Sequence, residues 1–311
     1  MPMSMKNMLL LVKQEVTFNV DPVPTAAANA ILARGMTPKP ISAEMVDRPL
    51  IRGFKGNSSK LAVGVHREFE FEVELAGAGA AGTAPKWAPL LMACDFSQTL
   101  TAGVSAAYQP VSNGGSSVTI YGYLDGLLFK LTGGKGTVSF DTNAKAIPVM
   151  KFKFFGEYSP QTDTILPSGA VFTGFQKPLT VGKVNTPTFS IFGQSGVCSA
   201  LSFDVANALS WRENIGAAYA NSADRAISGS ATIELPSTAT LNLGELLRNA
   251  TEGPLQLVHG TVPGNIVQFD APKVQLTSDP TISDDTSVAM AGLSFSLNPN
   301  TGNDELVLTV K

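Results

Sequence analysis

The sequence predicts a mainly β protein built as two tandem domains, residues 1–160 and 161–311, each with one short flanking helix. Three observations carry this expectation. Apolar residues alternate with polar ones at a period of two along much of the chain, the signature of half-buried strands. Gly, Asn, Asp and Pro separate those runs, which is turn chemistry. Residues 41–75 also lie without gaps on residues 201–235, placing Ser42 on Ser202, Arg52 on Arg212, Gly56 on Gly216, Glu74 on Glu234 and Leu75 on Leu235.

Taken in order, residues 1–40 begin with one short apolar run, too short for a secretory core. TFNVDPVPTAAANAI then reads as an arm lying on a neighbour or on the protein's own surface. Residues 47–62 (DRPLIRGFKGNSSKLA) and 207–222 (NALSWRENIGAAYANS) occupy equivalent places in the two units and read as long polar loops. Loops of that length inside compact domains serve function or docking. The run Arg67–Leu75 puts Phe69, Phe71, Val73 and Leu75 on one face and Glu68, Glu70, Glu72 and Glu74 on the other. Helices are expected at about 85–95 (PKWAPLLMACD) and 241–250 (LNLGELLRNA). Strands are expected within SSVTIYGYLD, GLLFKLT, GTVSFDT and VMKFKFFGEY, then within PTFSIFG, RAISGSATIEL, IVQFDA, KVQLTS, MAGLSFSLN and ELVLTVK. In each unit the order is a polar loop, a strand, a Leu-Leu helix, further strands, and a strand opening on Met150 or Met290. The two units join near Pro160.

Composition narrows the function. Charged residues make up 15% of the chain, against about 25% in ordinary soluble domains, so partners are expected to cover much of the surface. A net charge of −3 argues against a dedicated nucleic-acid binder. Cys94 and Cys198 form no metal-ligand spacing and read as small buried residues. No stretch has the ~20 apolar residues of a membrane-spanning helix.

The motifs that suggest catalysis fail on context. Gly77-Ala-Gly79-Ala-Ala-Gly82 has dinucleotide-fingerprint spacing, but it follows a strand with four glutamates on one face. Prolines shorten the helix after it, and the fingerprint needs a buried parallel strand feeding a helix N-terminus. A flexible small-residue loop is expected instead, and no cofactor. Gly133-Gly-Lys135-Gly136 lacks the spacing of a phosphate loop and reads as a hairpin turn. Gly193-Gln-Ser195-Gly196 is not a nucleophile elbow. His66 and His259 have no ligand-spaced partners, and a metal role for Asp284-Asp285 has nothing to support it. No enzymatic activity is expected.

KQEVTFNVDPVPTAAANAI, VGVHREFEFEVELAGAGAAGTAPKWAPLLMACDF and GLLFKLTGGKGTVSFDTNAKAIPVMKFKFFGEY resemble the tail tube (major tail) proteins of long-tailed, non-contractile bacteriophages. The likeness covers most of residues 10–160, and the second half follows through its similarity to the first. The resemblance implies β-sandwich or barrel-like domains, six to a ring, with rings stacked into a hollow tube through which DNA leaves the capsid. Two domains per chain then imply a trimeric, pseudo-sixfold ring; six whole chains with a decoration domain is the alternative. The inner tube of a contractile tail or a secretion-type tube shares the fold, and an adhesin-like binding module is a further class. The implied partners are the chain itself, the tape-measure protein, the tail terminator and distal tail proteins, and double-stranded DNA in transit, without a membrane. The implied location is the virion tail, assembled in the host bacterial cytoplasm. Glu68, Glu70, Glu72 and Glu74 are candidates to face the channel, where carboxylates repel phosphates; salt bridges with Arg or Lys of a neighbouring subunit are the alternative. Their counterparts, Ser228, Ser230, Thr232 and Glu234, are uncharged but for the last. Arg52, Lys55, Trp211 and Arg212 in the two long loops are candidates for ring-to-ring stacking.

Overall fold

The computed structural model describes residues 3–311. Twenty-two strands and three short helices make up the regular structure among these residues, and every strand pairing is antiparallel. None of the helices is long and apolar enough to cross a membrane.

The first half arranges six strands side by side in the order Met8–Gln14, Val118–Leu124, Leu127–Asn143, Val149–Tyr158, Leu61–Glu74, Ala33–Pro38. The second half has the order Thr188–Ile191, Gly253–His259, Val267–Leu276, Val288–Asn298, Ser228–Glu234, Cys198–Asp204. Each position in one list is filled by the strand of matching chain order in the other. Helices Ala88–Met92 and Leu243–Arg248 follow Leu61–Glu74 and Ser228–Glu234 respectively. The second helix is capped by Asn242, whose side chain accepts from the Glu245 N–H.

The halves share a seam. Cys198–Asp204 pairs with the end of Leu127–Asn143, Phe203 opposite Phe140. Val307–Val310 closes the opposite side, lying between Val267–Leu276 and Ser105–Pro110 with Leu308 opposite both Phe269 and Tyr108. A single apolar core therefore runs from Phe69, Phe71 and Trp87 to Phe203, Phe269 and Phe295. A smaller cluster, Leu9, Leu11, Ala26, Ala30, Tyr121 and Tyr123, holds the N-terminal segment on the protein's own sheet.

Several expectations need correcting. Gly133–Gly136 is not a hairpin turn: Leu127–Asn143 runs through it as one strand of 17 residues. Gly133 takes φ +61°, and a Cβ on Gly136 would sit 2.5 Å from the Phe154 ring, so these glycines bend the strand and admit its neighbours. The loop at 207–222 is a hairpin instead, Asn207–Asn214 against Ala217–Arg225, turning at Ile215-Gly216. The equivalent stretch of the first half keeps 47–60 irregular between Ser42–Val46 and Leu61–Glu74. IVQFDA and KVQLTS fuse into Val267–Leu276. The short helical turn Ala26–Asn29 was not signalled.

Candidate assembly surfaces

Alternation on Leu61–Glu74 sorts its side chains as the pattern requires. Phe69, Phe71 and Val73 are buried, and the Phe71 ring packs against Phe152 and stacks on Phe154 of the adjacent strand. The glutamates take the other face, but they are neither equivalent nor bare. Lys153 reaches Glu70 at 3.2 Å, Arg34 reaches Glu74 at 3.8 Å, and Lys151 lies opposite Glu72 while pairing with Asp141 at 2.6 Å. Glu68 is buried at 8% exposure, ion-paired to Lys39 and accepting from Ser42 Oγ at 2.6 Å, with His66 Nε2 3.3 Å away. Burial opposes ionisation of Glu68, yet the hydrogen bonds from Lys39 and Ser42, with the Lys39 and Lys153 charges, hold its carboxyl at about 2. Their basic partners come from this chain's own flanking strands and, for Lys39, from the residue just after one of them.

This polar face continues across the seam. Asp141 and Ser139 lie beside Ser202 and Asp204, followed by Ser230, Ser228 and then Ser294 and Ser296. The charged half of the face thus passes into a hydroxyl-rich half, where Ser202 and Ser230 are hydrogen-bonded at 2.8 Å.

The second surface is built by two arms. Hairpin 207–225 leans on the first half: Trp211 stacks on His66 with ring centroids 5.6 Å apart, and Glu213 accepts from the Gly64 N–H at 2.6 Å. Asn207 anchors its base, donating from Nδ2 to the carbonyls of Cys94 and Gly136. Trp211 is thus half-covered by its own chain, whereas Arg212 and the turn at Ile215 are exposed. The other arm, 42–66, carries Met45, Val46, Leu50, Ile51, Phe54 and Leu61 exposed; Arg52 lies over the Phe54 ring at 5.8 Å, and Lys55 is exposed beside it. Arg52 and Lys55 share the irregular stretch of the first arm, and Trp211 and Arg212 stand on the second, which meets the first at His66 and Gly64. Sequence reasoning missed His66 as the landing site of Trp211, since nothing local links residues this far apart.

The glycines of the fingerprint-like stretch join the halves. Gly77 donates its N–H to Asn265 Oδ1 and Gly79 to the Gly264 carbonyl, both at 2.8 Å. A Cβ on Gly77 would sit 2.1 Å from that carbonyl oxygen. The spacing serves close backbone approach.

Below the first arm, Arg67 is fully buried. Its guanidinium donates to the carbonyls of Lys39, Pro40 and Ser159 and lies between the Phe129 and Tyr158 rings. Among the described residues no group of three His, Cys, Asp or Glu is placed to hold a metal. Both cysteines are free thiols, Cys94 buried and Cys198 half-buried; burial pushes the Cys198 thiol up to about 11, which makes it a poor nucleophile. What the geometry presents is a broad polar sheet face, two projecting arms and unpaired strand edges.

The family model of the phage tail tube protein matches residues 6–298. No curated protein matches the chain.

Proposed function

The chain belongs to the phage tail tube protein family, a structural component of the viral tail, and from that premise we propose that three copies close into a pseudo-sixfold ring. Stacked rings would form the hollow tube that carries DNA into the host. The observation that carries this reading is the matched strand order of the two halves. If 1–160 and 161–311 are two copies of one tube domain, one chain supplies a third of a six-domain ring. The role is structural, with no reaction to perform.

The polar face from Glu70, Glu72 and Glu74 through Ser202 to Ser230 is the one we assign to the channel. Glu68 is withdrawn from that wall by its burial beneath Lys39. A lining of three acid–base pairs, Glu72 and Asp204 without an ion-pair partner among the described residues, and a row of hydroxyls offers DNA no basic track. Phosphates bind tightly only where cations are left unpaired. The two arms, with Arg52, Lys55, Arg212 and the Trp211-anchored hairpin, are assigned to contacts between successive rings. A tape-measure protein would occupy the channel before ejection, terminator and distal tail proteins would cap the ends, and assembly would take place in the host bacterial cytoplasm.

Electron microscopy of the concentrated protein, with rotational averaging of end views and mass per ring, tests this reading. Hollow rings or tubes with three chains per ring are expected. Six chains per ring would refute the duplicated-domain count, and a monomer at every concentration would refute self-assembly.

A further inference from the structure

From the seat of the second arm we infer that His66 is a proton-operated latch. With hydrogen on both ring nitrogens it holds hairpin 207–225 against the first half, and loss of one proton loosens the hold. The latch belongs to a single chain and stands whether or not rings form.

The imidazole lies between two rings, Phe155 at 5.1 Å and Trp211 at 5.6 Å, the latter stacked at 18°. Each of its nitrogens faces an acceptor. Nδ1 is 2.7 Å from the Gly64 carbonyl oxygen, which can only accept, so Nδ1 carries hydrogen. Nε2 is buried without a hydrogen bond among the described residues, yet a carboxylate oxygen of Glu68 stands 3.3 Å away. In the neutral ring that nitrogen turns a lone pair on the carboxylate. A second proton makes the contact an ion pair and supplies the missing hydrogen bond. Glu68 is ionised throughout the neutral range, since Lys39 and Ser42 hold its carboxyl at about 2.

The arm is tied to the proton by what it brings. Trp211 and Glu213 stand two residues apart on Asn207–Asn214 and share a face of that strand. Trp211 lays its indole on the imidazole, and a cation over an indole face is favoured. The indole N–H has no acceptor among the described residues, so the ring face makes the contact. Glu213 accepts from the Gly64 N–H at 2.6 Å, which sets a second carboxylate close to the ring. Gly64, at φ +62°, is thus gripped by the arm at its N–H and by His66 at its carbonyl. The other charges around the ring are engaged elsewhere or turned away. Lys39 pairs with Glu68, and Lys153 pairs with Glu70 and lies over the Phe155 ring. Glu157 accepts from Asn19, and Arg67 donates to three carbonyls on the core side. Arg212 and Tyr219 oppose each other on the far face of the hairpin. Covering the imidazole removes water and opposes its charge, whereas the indole face and two carboxylates favour it. The arm is therefore held tightest below the imidazole range, about pH 6–7, and loosens as pH rises through it.

The test is amide hydrogen exchange of the full chain in dilute solution, followed by mass spectrometry over peptides that span Gly64 and hairpin 207–225. Rates are corrected for the intrinsic pH dependence of exchange, and the peptide of Val267–Leu276 serves as the internal reference. Protection of Gly64 and the hairpin should fall about fivefold from pH 5.5 to pH 8, the order of one cation–π contact, while the reference stays level. His66→Phe keeps a ring under Trp211 that cannot take a proton, and its protection should not vary with pH. Trp211→Leu retains His66 without the indole and should show a smaller response, which keeps the test open if the phenylalanine variant misfolds. Unchanged protection in the parent, protection that rises with pH, or a full response in either variant would overturn the latch.

Discussion

Replacing Asn207 tests the seam inside the chain. This buried side chain spends both amide hydrogens on the first half, donating to the Cys94 carbonyl at 3.0 Å and the Gly136 carbonyl at 2.9 Å. Its own N–H goes to Thr137 Oγ1 at 3.1 Å. Asn207→Ala leaves two buried carbonyls without a donor, each worth about 1–3 kcal/mol when stranded. The Asn207 carbonyl oxygen already lacks a partner, and removing it returns part of that cost, so a net loss of about 2–3 kcal/mol is expected. Asn207→Asp keeps the shape but presents a carboxylate to two carbonyl oxygens, and it should cost more than the alanine variant. Urea unfolding followed by tryptophan fluorescence reads both, since Trp87 sits in the first half and Trp211 on the hairpin that Asn207 anchors. The slope against urea should stay constant while the midpoint falls. An alanine variant within about 0.5 kcal/mol of the parent, or an aspartate variant no worse than alanine, would refute the clamp, because only surface positions are that tolerant.

Glu68 makes stability pH-dependent. Its carboxyl lies at about 2 in the fold against an ordinary 4.5, so its contribution is full above about pH 5 and is lost as pH falls towards 2. With Lys39 half-exposed, screening leaves about 1–2 kcal/mol, and Glu68→Gln should flatten that limb of an acid titration of stability. Gly77→Ala drives a methyl into the Gly264 carbonyl, where backbone meets backbone, and should cost about 3 kcal/mol by thermal or urea unfolding. Arg67→Met strands three carbonyls and should cost about 3 kcal/mol. Arg67→Lys should recover little of that in the same assay, since an ammonium cannot reproduce the planar fork between two rings.

The legible parts of this protein were those written at short range. The alternation of Phe69 to Leu75 with Glu68 to Glu74 announced both the strand and its buried face, and the Leu-Leu pairs located two helices. Local reading failed where chemistry had two meanings. Glycines at 133–136 resemble a turn, but here they thin a strand so that Phe154 and Leu131 can close over it. The hairpin 207–225 shows no clean alternation because it rests on other strands along only part of its surface, so it resembles a loop. The partners of the glutamate row were out of reach for a different reason: Arg34, Lys39, Lys151 and Lys153 stand on other strands or the loop beside them, and only the fold brings them alongside.

The placement of Val307–Val310 sets the order in which the molecule can be completed during synthesis. Ala106 waits for Val310, about 200 residues downstream, an interval on the order of 10–40 s at 5–20 residues per second. Through that interval Tyr108 and its strand have no neighbour on that side, and the first half is a nascent chain with an open flank. A ribosome that stalls inside the second half therefore leaves a truncated chain whose first half lacks the strand that seals its flank.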